Sequence, residues 1–123
     1  MKIKIKTSKI GLEAELYNNI TAKKISKLLP IKATAQIWGH EIYFEIPLHV
    51  KLDDSAKEVV ELGDLGFWPS GDCFCIFFGK TPASKGNEIR PASAVNVFGK
   101  VKGDLEVLKA VEEGEEIRVE KSF

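Results

Sequence analysis

The 123-residue chain carries 18 basic and 18 acidic side chains and is 44% hydrophobic. That fits one domain with a real core and excludes a disordered chain or two ordinary domains. The balanced charge provides no global pull towards nucleic acid or an acidic membrane surface.

No apolar run approaches the roughly 20 residues of a membrane helix, and MKIKIK alternates where a signal peptide would be continuously apolar. The expectation is a cytoplasmic protein with both cysteines reduced. Arg90 and Arg118 are the two arginines in a surface dominated by Lys and Glu, and Gln36 is the single glutamine. Such a surface leans towards a thermophilic source.

In chain order, residues 2–6 alternate Lys and Ile, and residues 10–16 alternate again with Leu12, Ala14 and Leu16 on one face. Two such runs with a short link predict an antiparallel hairpin. A helix is predicted over residues 21–29, with Thr21 as N-cap, Ile20 packing on Ile25 as a staple, and Pro30 as its stop. Residues 31–38 and 41–46 form a second pair of strands around Gly39-His40. Residues 48–62 carry a turn at Asp53, Asp54 and Ser55, and a strand edge from Val59 to Leu62.

The stretch GDLGFWPSGDCFCIFFGKTPAS, residues 63–84, reads as strand, tight turn, strand and loop. Its second strand is apolar on both faces: Cys73, Cys75 and Phe77 point one way, Phe74, Ile76 and Phe78 the other. A strand of that kind is covered on both sides, which makes it the central one. Residues 88–90 form a brief extended segment and residues 95–101 a strand. Asp104 caps a short helix bearing Leu105, Leu108 and Val111, Gly114 stops it, and residues 116–120 close the chain as a strand. The total is about eight strands and two short helices, a mainly β, closed antiparallel barrel with helical lids.

Few residues suggest chemistry. Cys73 and Cys75 share one face of a strand, a poor geometry for a disulfide, and His40 and His49 are the only histidines available to complete a metal site. Two small buried core residues is the favoured reading, and neither a metal nor a cofactor is expected. Arg90, with Glu88 on the same side of its segment, could grip a carboxylate or carbonyl, or could tie down the loop of residues 81–93. Phe67, Trp68 and Trp38 could floor an apolar cleft or fill the core. Phe67 and Trp68 point to opposite faces, so at most one of them shares a given pocket. Thr81, Ser84 and Asn96 offer donors to a ligand or to loop backbone.

Several segments resemble the cyclophilins. FGKVKGDLEVLKAVEEG, residues 98–114, is similar to the strand, turn and helix that end that domain. GLEAELYNNITAKKISKLLP, residues 11–30, is similar to its second strand and first helix. GDLGFWP, CIFFGKTPAS and EIRPAS are closer still to a small prokaryotic cyclophilin-like family whose role is not established. The resemblance implies a cyclophilin-like barrel over residues 1–123. It places the isomerase's substrate-contacting glutamine at Cys73, its pocket aromatic at Cys75, its pocket histidine at Val95 and its pocket tryptophan near Arg90. The catalytic arginine belongs on residues 31–38, which contain none.

Three functions follow as expectations. The first is a binding module that takes a small molecule or extended peptide in a cleft near Arg90, with Glu88, Phe67, Trp68 and Thr81, and without prolyl isomerase chemistry. The second is an enzyme, a weak peptidyl-prolyl isomerase or one with a relocated arginine. The third is an assembly role in which apolar strand edges pair between copies as a homo-oligomer.

Overall fold

The computed structural model describes residues 1–122. Alternation places strands β1 (Lys2–Lys6) and β2 (Gly11–Leu16) side by side, with Ile3 opposite Ala14 and Ile5 opposite Leu12. Helix α1 (Ile20–Ser26) follows, then β3 (Ile31–Thr34), β4 (Gln36–Ile37) and β5 (Glu41–Glu45). Next come β6 (Ala56–Lys57), β7 (Asp64–Trp68), β8 (Cys73–Phe77), β9 (Val95–Val101), a 3-10 helix (Leu105–Ala110) and β10 (Glu116–Lys121).

The strands hydrogen-bond antiparallel in the order β3-β10-β1-β2-β9-β7-β8-β5-β4, with β6 added to β9. The two ends of that order, β3 and β4, are separated in the chain only by Ala35, so the sheet is a nearly closed, mainly β barrel of nine strands. Residues 31–38 thus form two strands rather than one. Ala35 is fully buried and its N–H donates to the Glu115 carbonyl, and there the chain leaves β10 for β5. The expected edge at residues 59–62 reduces to a single bridge between Val60 and Ile89.

Helix α1 corrects two expectations. Asn19, not Thr21, is the N-cap, its side-chain oxygen accepting from the Ala22 N–H at 2.9 Å. Ile20 is 64% exposed and forms no staple. Thr21 instead faces inward and donates its hydroxyl to Asp53 at 2.7 Å. The helix stops at Ser26, and Leu28 and Leu29 pack half-buried against the core from the turn that follows. Asp104 caps the 3-10 helix as expected, accepting from the Glu106 N–H, and Leu108 is fully buried.

Two apolar layers result. Inside the barrel lie Ile3, Ile5, Phe44, Leu65, Phe67, Phe74, Ile76, Phe98, Ile117 and Val119, joined by Ile25 of α1 and Leu108 of the 3-10 helix. Outside it, Cys73, Cys75, Phe77, Val95 and Val97 pack under Val60 and Ile89. Strand β8 divides the two layers and is buried along its whole length.

Candidate functional site

The outer layer is incomplete, and a cleft of 210 Å³ opens where it stops. One wall is sheet: Glu41 and Tyr43 from β5, Cys75 from β8, Trp68 from β7 and Val95 from β9. Trp38, from the turn before β5, and Pro91 with Ala92, from the segment before β9, form the rest.

Glu41 is the unusual member. Its backbone and that of Trp38 bond reciprocally across the tight turn, at 2.9 and 3.2 Å, so both side chains reach the cleft. The residue is only 5% exposed, and its carboxyl Oε1 is buried without a hydrogen-bond partner. Burial pushes its pKa up from 4.5 to about 7, and the Cys75 thiol beside it offsets this in part. The neighbouring groups stay uncharged near neutrality. Burial, then the carboxylates of Glu45, Glu41 and Asp72, push the Cys73 thiol up to about 11. Burial, then Glu41, raises Cys75 well above the ordinary thiol range. Burial, then Glu113, raises Tyr43.

Trp68 is held in place at both ends. Its indole Nε1 donates to Ser93 Oγ at 2.6 Å, tying the sheet to the covering segment. Its ring lies over the β7–β8 turn, where a Cβ at Gly71 would stand 2.6 Å from Cζ3. Only glycine leaves room for the indole there.

The family model described as Cyclophilin-like matches residues 1–120. The chain belongs to the cyclophilin-like family. It is also similar to the hypothetical protein AF2241 from Archaeoglobus fulgidus, whose solution structure superposes with a TM-score of 0.84 at 45% identity, over 99% of this chain and 95% of that one. No curated protein matches the chain.

In this cyclophilin-like protein the residues singled out from sequence are dispersed. Trp68 lines the cleft, as does Trp38. Phe67 is fully buried inside the barrel, on the other face of β7. Arg90 turns to Glu88, its Nε donating to Oε2 at 2.6 Å, and neither lines the cleft. Thr81 braces the loop: its hydroxyl donates to the Arg90 carbonyl and its N–H donates to Ser84 Oγ at 3.0 Å. Glu41 thus lines this cleft and Arg90 does not. Cys75 and Val95, which the resemblance equates with the isomerase's pocket aromatic and histidine, both line it.

Sequence reasoning passed over Glu41 because it shares a face with Tyr43 and Glu45, opposite Ile42 and Phe44, the pattern of a solvated edge. A signal was present nonetheless. The double-sided apolar run of β8 implies an outer cover, and Glu41 stands opposite Phe77 on the adjoining strand.

Both thiols are free. Among the described residues, no three His, Cys, Asp or Glu side chains gather as a metal site, and no helix is long and apolar enough to cross a membrane.

Proposed function

We propose that this cyclophilin-like protein is a binding module that takes a small, largely apolar ligand, or one side chain of an extended peptide, in the Glu41 cleft without prolyl isomerase chemistry. The observation that carries the reading is a buried carboxyl whose Oε1 has no hydrogen-bond partner, in a concave site walled by Trp38, Tyr43, Trp68 and Pro91. Binding sites combine such apolar walls with a few placed polar groups. A cavity of about 150 Å³ holds benzene, so 210 Å³ suits one ring and a short substituent. Support for binding over isomerisation comes from the lining itself. It offers an acid, a thiol and aromatics, while the Arg90 guanidinium is engaged by Glu88.

Trp38 and Trp68 are the chain's two tryptophans, so intrinsic fluorescence reports the cleft directly. A screen of ring-sized fragments should return binders that Trp38→Ala weakens and Arg90→Ala leaves alone. Fast turnover in a coupled prolyl isomerase assay would overturn the reading.

A further inference from the structure

We propose that the cleft selects a small organic cation, a protonated amine on a ring-sized apolar body, with Glu41 as its counter-ion. The proposal rests on the binding-module reading above and adds the charge of the ligand.

Buried polar atoms in folded proteins almost always have a partner. Glu41 Oε1 has none, although its residue is 95% covered and borders an open cleft. Nothing in the cleft can supply the missing charge, since no Lys, Arg or His is among its lining residues. The one arginine nearby in the chain, Arg90, is already paired with Glu88 at 2.6 Å. An incoming ammonium group would be both donor and counter-charge, and charge-assisted bonds of this kind are the strong ones.

The walls fit the same ligand. Trp38, Tyr43 and Trp68 are aromatic, and a cation over an aromatic face gains further when it is desolvated. Further carboxylates stand near, since those of Glu45, Asp72 and Glu113 act on Cys73 or Tyr43 beside the cleft. An anionic ligand would find no cationic side chain in the lining and would face Glu41 once that group ionises.

The pH behaviour separates Glu41 from other sources. Tyr43 on the same strand, and Cys73 and Cys75 on β8, titrate above neutrality. Glu45 and Asp72 are carboxylates outside the cleft lining, and Asp72 is held by His49 Nδ1 at 2.7 Å. His40 stacks on Phe78 and borders a different depression. The cation requires ionised Glu41, so its affinity should rise as pH climbs through the titration of that group, by about tenfold from pH 6 to pH 8.

The experiment titrates the intact protein with benzylamine, benzyl alcohol and benzoate, following the fluorescence of the two tryptophans and the heat of binding. At pH 8 benzylamine should bind at least about tenfold tighter than benzyl alcohol, a gap of roughly 1.4 kcal/mol, and benzoate should not bind. Glu41→Gln should bind amine and alcohol alike and lose the pH dependence. Equal affinity of the wild type for amine and alcohol would overturn the cation proposal while leaving the binding module standing. Binding of none of the three would overturn the proposal, and failure of the wider fragment screen as well would remove the binding module too. Should the variant fold poorly, the wild-type pH profile decides alone: a flat profile for benzylamine overturns the proposal.

Discussion

Replacing Glu41 by glutamine should make the ligand-free protein more stable at alkaline pH and leave it little changed in acid. The folded-state pKa of Glu41 is about 7 against an ordinary 4.5. Between those values the native state holds a proton that the unfolded chain has released. Stability therefore falls as pH rises through this window, and the loss is complete above the folded pKa. At about 1.4 kcal/mol per unit, the full penalty is roughly 3 kcal/mol. Glutamine carries no charge but leaves an amide in the same apolar corner, at a cost of about 1 kcal/mol. The variant should thus trail slightly at pH 5 and lead by about 2 kcal/mol at pH 8.5, or roughly 8 °C in Tm. Urea unfolding of both proteins at the two pH values measures the difference directly, and titrations elsewhere cancel in the comparison. Asp53 is one of these: burial works against it, but hydrogen bonds from Ser55 and Thr21 outweigh burial and lower its pKa, so its contribution is lost in acid instead. A stability gap of constant size and sign at both pH values would refute the reasoning.

Leu108→Ala should cost about 2–5 kcal/mol by chemical denaturation, since the side chain is fully buried in the barrel core. Gly66→Ala should cost about 1–3 kcal/mol and weaken fragment binding, because its Cβ would stand 2.7 Å from Val95 Cγ2 and 3.2 Å from Phe77 Cε2. Asn96→Ala should destabilise by at least about 2 kcal/mol, because Asn96 accepts from Asp53 N–H and donates to the Lys51 carbonyl and to Thr21. Alkylation with iodoacetamide at pH 8 should be slow at both cysteines in the native state and fast in urea; rapid native labelling of Cys75 would contradict its burial and raised pKa.

Local rules carried much of the fold. The Lys-Ile alternation of β1, the double-sided β8 and the Asp104 cap each follow from a period or a hydrogen bond confined to a few residues. What escaped was decided by distant partners. Thr21 and Asn19 are both competent caps, and Asp53 and Asn96, far along the chain, draw Thr21 inward. The break at Ala35 depends on Glu115 and the handover from β10 to β5. Glu41 shares its cleft with Trp68, Pro91 and Val95, which arrive from distant parts of the chain, so a strand face that looks wet in isolation is buried. The aromatic content of the cleft was legible in Trp38 and Trp68. Its acidic centre was not, because desolvation is a property of the assembled surface.

Strand β8 has a consequence for how this molecule can change over generations. Its even-numbered side chains, Phe74 and Ile76, belong to the barrel, and its odd-numbered ones, Cys73, Cys75 and Phe77, to the layer that meets the cleft. A substitution at an odd position acts on the outer layer and at an even one on the barrel core, so the wall at Cys75 can change shape with the barrel's own packing kept, at a cost set by the outer layer alone. The two layers of this molecule can thus be altered one at a time, although a single strand serves both.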